Sequence, residues 1–106
     1  MLTPPPVDEI TRRIAEAFNP RRIVAFGSLA TGLSRSDSDL DLMVEMEADA
    51  RPAARIQAIY QLFGPRTWAM DVVVYTPKEV QQLRGVHGTL LSTIEREGRT
   101  LYQRPV

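Results

Sequence analysis

The sequence predicts one α/β (α+β) domain in which helices flank a small mixed β-sheet. Apolar residues recur at helical spacing in four segments and at strand spacing in four others, and the two kinds of segment interleave along the chain. The length of 106 residues suits a single domain, 1–106, with a core large enough to need no covalent staples. The chain contains no cysteine, which excludes disulfides and thiolate metal sites.

The first half of the chain is predicted to fold as a helix, a strand, a loop and a second strand. Asp8 and Glu9 suit the first turn of a helix, and Asn19-Pro20 ends it. The loop is rich in small residues and has room for one short helical turn. The predicted elements are a loosely ordered proline-rich arm over 1–6, a helix over Val7–Phe18, a strand over Arg22–Phe26, a loop over 27–38 and a strand over 39–46.

The second half is predicted to add three helices and two strands. Pro52 fits the first position of a helix, and Thr76 with Glu79 has the pattern of a capping box. Gly98 is a helix stop signal. The predicted elements are a helix over Pro52–Phe63, a strand over 68–75, a helix over 77–85, a helix over 89–97 and a strand over 100–103.

The charge balance restricts the classes of partner. The chain has 13 basic and 13 acidic residues, so its formal net charge is zero. A general nucleic-acid binder would carry a basic excess, so we expect no strong binding to DNA or RNA. No apolar run is as long as a membrane helix, and the start of the chain has no secretory signal pattern. We therefore expect a cytoplasmic protein with no membrane association.

Two carboxylates on the second strand are the most informative feature. Asp39 and Asp41 share one face of that strand, because residues i and i+2 point the same way. The intervening and following apolar residues occupy the opposite face. Neighbouring carboxylates repel each other, and a divalent cation removes the conflict. Mg²⁺ prefers oxygen ligands and typically binds through one or two carboxylates together with substrate phosphates.

A phosphate-binding turn is predicted just upstream of the acids. Gly27 and Ser28 follow the apolar strand, with ten residues between Ser28 and Asp39. Glycine lets the backbone approach a ligand closely, and Ser28 adds a hydroxyl to the backbone N–H donors. The phosphate seat and the metal ligands would then lie at the ends of neighbouring strands.

Three other polar residues are candidates for the site. Asp71 interrupts an apolar strand, where an aspartate is costly to bury unpaired, so it is interpreted as functional. Asp37 shares the alternation of the acid pair but lies one step early, and it is interpreted as a rim acid. His87 lies between Gly85 and Gly88 and is interpreted as an exposed loop residue. The sequence does not decide whether Asp37 or His87 has a role in the site.

The motif resembles a known superfamily. Gly-Ser, ten residues and then Asp-x-Asp, here Gly27-Ser28 and Asp39-Leu40-Asp41, is similar to the signature of the DNA polymerase beta nucleotidyltransferase superfamily, and the short chain resembles its minimal nucleotidyltransferase branch. The resemblance implies a polymerase-beta-like nucleotidyltransferase fold and extends from residue 23 to 102. It makes Asp71 the third acid of the site.

The resemblance implies a magnesium-dependent nucleotidyltransferase. Its site would use Gly27 and Ser28 for the triphosphate and Asp39, Asp41 and Asp71 for two Mg²⁺ ions, with Mn²⁺ able to substitute. The donor would be ATP or another NTP, and AMP would pass to an acceptor hydroxyl. Minimal nucleotidyltransferases often pair with a helical HEPN-type toxin, which the resemblance implies as the partner and acceptor.

Two alternatives stay open at the level of the sequence. The domain could be an antitoxin that binds nucleotide and partner without catalysis, or an enzyme that acts on a small molecule. A neighbouring gene for a small helical protein would favour a protein partner. The oligomeric state is also open, since a partner surface exposes apolar area and a homo-oligomer could form through it.

Overall fold

A computed structural model of the chain describes residues 3–31 and 39–105, without the side chains of Leu29 and Thr31. Nine elements follow one another in these ranges. They are α1 (Val7–Phe18), β1 (Arg22–Phe26), α2 (Ser28–Thr31), β2 (Leu40–Glu45), α3 (Pro52–Phe63), β3 (Met70–Tyr75), α4 (Pro77–Leu83), α5 (Leu90–Glu97) and β4 (Arg99–Gln103).

The predicted helices and strands are all present, and only some ends differ. The short helical turn expected after β1 is α2, whereas the remainder of that loop, 32–38 with Asp37, lies outside the described residues. β3 begins at Met70 rather than at residue 68, because its pairing with β2 begins where Met70 lies opposite Leu40. α4 ends at Leu83 rather than at residue 85, because Arg84 is extended and Gly85 has a φ of 81°.

The four strands form one mixed sheet in the order β3-β2-β1-β4. β1 pairs antiparallel with both β2 and β4, and β2 pairs parallel with β3. α3 makes the crossover between the two parallel strands, as parallel pairing requires. In β4, Leu101 is the extra residue of a β-bulge, because Ile23 pairs with Tyr102 and Val24 with Thr100.

Helices cover both faces of the sheet. On one face, Ile10 and Ile14 of α1 and Ile59 of α3 join the larger core cluster. On the other face, α4 and α5 enclose a smaller cluster around Val24 and Met43. Met43 of β2 belongs to this smaller cluster and shares the face of Asp41. The predicted alternation of β2 is confirmed, since four other apolar residues lie in the larger cluster on the opposite face. These residues are Leu40, Leu42, Val44 and, just beyond the strand, Met46. No helix in the described ranges is both long and apolar enough to cross a membrane.

An ion pair connects the two helical layers around the β3 edge. Arg55 of α3 is nearly buried and donates to Glu79 Oε1 over 2.7 Å. The same oxygen accepts from the backbone N–H of Thr76 at 2.8 Å, and the Thr76 hydroxyl accepts from the Glu79 N–H at 3.2 Å. The capping box predicted at the start of α4 is therefore confirmed, and it also neutralises a buried arginine.

We expect Glu79→Ala to lower the free energy of unfolding at pH 7 by about 2 kcal/mol, because it removes the carboxylate half of the capping box and leaves Arg55 without its partner. The partial exposure of Glu79 reduces the effect of the lost charge pair. Urea unfolding would measure it. The exposed pair Arg96–Glu97 offers a control, and Glu97→Ala should cost less than about 0.5 kcal/mol.

The difference in the free energy of unfolding between the wild type and Glu79→Ala should depend on pH. The hydrogen bond from the Thr76 backbone, followed by the contacts from Arg55, lowers the pKa of Glu79. A lowered carboxyl pKa contributes stability above the pKa of the unfolded chain, and the contribution is lost as the pH falls through the folded value. The gap between the wild type and Glu79→Ala should therefore be full at pH 7 and should shrink below about pH 4. A gap that is constant from pH 7 to pH 3 would contradict the role assigned to the carboxylate.

Candidate active site

Asp41 and Asp71 lie side by side on neighbouring strands. The parallel register of β2 and β3 pairs Asp41 with Asp71. Adjacent strands are about 4.8 Å apart, and both side chains point to the face that carries Met43 and Val73. Asp39 directly precedes β2 with the same alternation, and its side chain is exposed. The fold thus gathers the three acids predicted from the sequence at one end of the sheet.

The electrostatics of this end follow from the pairing. Burial, then the charge of Asp71 and then that of Asp39 raise the pKa of Asp41. Among residues 3–31 and 39–105, no arginine or lysine forms an ion pair with any of the three acids. The ionised form of Asp41 is therefore disfavoured by the fold itself and would be stabilised by a cation.

Gly27 brings the candidate phosphate-binding turn against the acids. Phe26, the last residue of β1, pairs with Asp41, so the chain turns away beside the Asp41 carboxylate. Gly27 has a φ of 70°, and a Cβ at this position would collide with Asp41 Oδ2. Ser28 follows as the first residue of α2. Glycine is favoured here by the left-handed backbone conformation, and a larger residue would also force the Asp41 carboxylate to shift.

The chemistry of the donor set suits a divalent cation. Three carboxylates at one sheet end supply the hard oxygen ligands that Mg²⁺ prefers, and a cation would offset the burial and the neighbouring charges that raise the pKa of Asp41. Within the described residues, however, no three acidic, histidine or cysteine side chains are close enough to hold one ion as they stand. Joint ligation of one ion by all three acids would therefore require their side chains to move closer together.

Tyr60 is a residue near the site whose polar role the sequence did not reveal. The sequence indicated only a core aromatic, and its ring does pack on the larger core cluster. Its hydroxyl donates to the carbonyl of Met70 at 2.8 Å and accepts from the N–H of Val72 at 3.2 Å, the two residues that flank Asp71. This contact results from the packing of α3 against β3, and no pattern in the sequence indicated it. His87 lies exposed between α4 and α5, as expected.

Comparison with known proteins agrees with the fold and gives the family. A crystal structure of a protein proposed to be a nucleotidyltransferase, from Sulfolobus solfataricus, matches with a TM-score of 0.63. The match covers 92% of this chain and 78% of that chain at 17% identity, a likeness that concerns the fold alone. The nucleotidyltransferase fold implied by the sequence motif is thereby confirmed. No curated protein sequence gives a significant match.

A family model described as a nucleotidyltransferase domain matches residues 7–106. The chain therefore belongs to the nucleotidyltransferase domain family. Nucleotidyl transfer is the reaction of this family, which implies an NTP substrate, and such domains typically use divalent metal ions.

We expect Gly27→Ala to abolish nucleotide binding while the protein stays folded. The new methyl group would displace the Asp41 carboxylate, and the left-handed backbone would cost about 1–2 kcal/mol of stability. Gly85 provides a matched control, because it has a φ of 81° but no atom lies within 4 Å of the point that an alanine Cβ would occupy. Calorimetric titration with Mg-ATP should show binding in Gly85→Ala and none in Gly27→Ala. Equal binding by both variants would contradict the contact between Gly27 and the site.

We expect Asp41→Asn to raise the free energy of unfolding at pH 7.5, by about 1 kcal/mol, in the absence of metal. An aspartate whose pKa is higher in the folded chain than in the unfolded chain destabilises the protein once it is ionised. The protein therefore loses stability as the pH rises from the unfolded pKa to the folded pKa. The advantage of the amide should therefore vanish below about pH 3, where both chains are uncharged at this position. Denaturant unfolding at both pH values measures it, with Asp49→Asn in the exposed segment after β2 as the control. A loss of stability at pH 7.5 would indicate a structural role for Asp41.

Proposed function

We propose that this protein is a magnesium-dependent nucleotidyltransferase that transfers AMP from ATP to a hydroxyl group of a protein partner. We further propose that the partner is a helical HEPN-type toxin and that the transfer inactivates it. The family supplies the reaction class. The direct pairing of Asp41 with Asp71 beside the turn at Gly27, on an edge of the sheet, supports metal-dependent transfer at an open site. AMP and the HEPN-type partner rest on the resemblance to minimal nucleotidyltransferases.

Each acid has a distinct place in this proposal. Asp39 and Asp41 would contact both metal ions, and Asp71 would complete the site of the ion nearer the acceptor. Gly27 and Ser28 would hold the triphosphate through backbone donors and a hydroxyl. When bound, the two Mg²⁺ ions would neutralise the carboxylates and the triphosphate and favour in-line displacement at phosphorus.

The proposed step exchanges one phosphorus–oxygen bond for another. The acceptor hydroxyl oxygen attacks the α-phosphorus of ATP and forms a new bond to it. The bond from the α-phosphorus to the oxygen that bridges to the β-phosphate breaks, and pyrophosphate leaves with the bonding electron pair. Asp71 takes the hydroxyl proton, because its exposed carboxylate is the acid on the outer strand.

The position of Asp71 supports a large acceptor. β3 is the terminal strand of the sheet, and the Asp71 side chain is exposed on it. An acceptor approaching from outside would reach Asp71 before the half-buried Asp41. A second protein that covers this edge would provide the missing wall of the site and exclude water from the reacting groups.

The division of labour among the acids can be tested with three variants. Asp39→Asn and Asp41→Asn should each abolish both metal-dependent ATP binding and transfer. Asp71→Asn should keep ATP binding within about threefold and lower the transfer rate by about 100-fold or more, because its metal serves the attacking oxygen. Calorimetry and turnover on the same samples, with Asp49→Asn as the control, would measure both properties. Equal loss of ATP binding in all three variants would contradict the assignment of Asp71.

The acceptor is tested by mass spectrometry. The protein is incubated with Mg-ATP and with the product of a neighbouring gene that encodes a small helical protein. We expect the partner to gain one AMP in the presence of the wild type and none in the presence of Asp41→Asn. A partner that is bound and neutralised without gaining mass would instead support the non-catalytic antitoxin. Transfer to a small molecule alone would contradict the protein acceptor.

A further inference from the structure

We propose that Tyr60 is a positioning residue for Asp71. The inference rests on the proposed role of Asp71 and on one contact. The Tyr60 hydroxyl bonds to the backbone of both neighbours of Asp71, with 2.8 Å to the Met70 carbonyl oxygen and 3.2 Å to the Val72 nitrogen. A single hydroxyl on α3 therefore holds the backbone on either side of the candidate catalytic acid.

The ladder of the sheet explains why this segment needs such a contact. The Leu40 N–H bonds to the Ala69 carbonyl, and the Met46 N–H bonds to the Tyr75 carbonyl. In a parallel ladder every second residue bonds to the neighbouring strand, so Asp71, like Ala69 and Tyr75, directs its backbone groups toward β2. The residues on either side of it, Met70 and Val72, direct their backbone groups away from β2. Within residues 3–31 and 39–105, no strand pairs with β3 on that side. The Tyr60 hydroxyl occupies the position where a further strand would bond.

The hydroxyl is itself held in place by its surroundings. The Tyr60 ring packs on the larger core cluster, and the Arg66 guanidinium lies over the ring at 5.3 Å. The same guanidinium lies 5.3 Å from the ring of Trp68, in the segment that leads into β3. These contacts involve the ring and would survive in Tyr60→Phe, so this substitution removes only the hydroxyl.

The expected effect on the site exceeds the expected effect on stability. The net contribution of one hydrogen bond is a small part of the stability of a domain, so the loss of this hydroxyl should leave the fold intact. Displacement of a reacting group by about 1 Å can cost about 100-fold in rate. Release of the β3 backbone would shift Asp71 relative to Asp41, whereas Asp41 on β2 and Asp39 just before it would keep their positions.

The first test compares Tyr60→Phe with Tyr102→Phe. Both rings are partly buried against the same core cluster, and no hydrogen bond of the Tyr102 hydroxyl to another described residue is present. Tyr60→Phe should lower kcat for AMP transfer by about tenfold or more and leave the affinity for Mg-ATP within about threefold. Tyr102→Phe should change neither quantity. A fall in ATP affinity that parallels the fall in kcat, or an equal effect of both variants, would reduce Tyr60 to a structural residue.

The second test does not depend on transfer. Mn²⁺ binding in the presence of ATP is followed by electron paramagnetic resonance for the wild type, Tyr60→Phe, Asp71→Asn and the double variant. We expect Tyr60→Phe to weaken the second Mn²⁺ by about threefold or more, and to have no further effect once Asp71 is replaced. Weakening of equal size in the Asp71→Asn background would overturn the proposal. If the wild type binds two Mn²⁺ but transfers no AMP, the proposed function fails and this comparison still decides the role of Tyr60.

Discussion

The parallel pairing of β2 with β3 is the constraint on which the site depends. This register places Asp41 beside Asp71 and, on the opposite face, Leu42 beside Val72 in the core. If one of these strands shifted by one residue against the other, its side chains would exchange faces. Its carboxylate would then enter the core, and its apolar side chains would face solvent. The burial of the apolar face thus fixes the position of the acids without any bond between the acids themselves.

The same arrangement has an electrostatic cost at the candidate active site. The raised pKa of Asp41 means that the fold disfavours its charged form, through burial and through two neighbouring carboxylates. Elsewhere the described acids of the interior are paired, as with Glu45 and Arg22 at 2.6 Å. The protein thus pairs buried charge at one end of the sheet and concentrates like charge at the other, which supports the proposal of a bound cation there.

Local patterns were sufficient to predict the elements and the acids, but the contacts between distant segments were not. The Thr76 capping box, the helix Val7–Phe18 and the shared face of Asp39 and Asp41 follow from periodicity and from residue chemistry within a few positions. The contact of Glu79 with Arg55 and that of Tyr60 with β3 join segments whose relative placement depends on the sheet order. No spacing in the sequence encodes that order, because it results from the packing of all elements together.

The neutral net charge likewise conceals an uneven distribution that arises only on folding. A cleft at the end of β1 is lined by four basic residues, Arg21, Arg22, Lys78 and Arg84. At this end Arg22 pairs with Glu45 of β2. Glu45 lies four residues, or about 13 Å, along β2 from Asp41. Burial alone would lower the pKa of Arg22, but the hydrogen bonds and charges of Glu95 and Glu45 outweigh it and leave that pKa raised. Part of this positive charge is therefore already neutralised within the protein. The expectation of weak nucleic-acid binding depends on this local pairing as well as on the net charge, since a phosphate backbone would have to compete with carboxylates that are already in place.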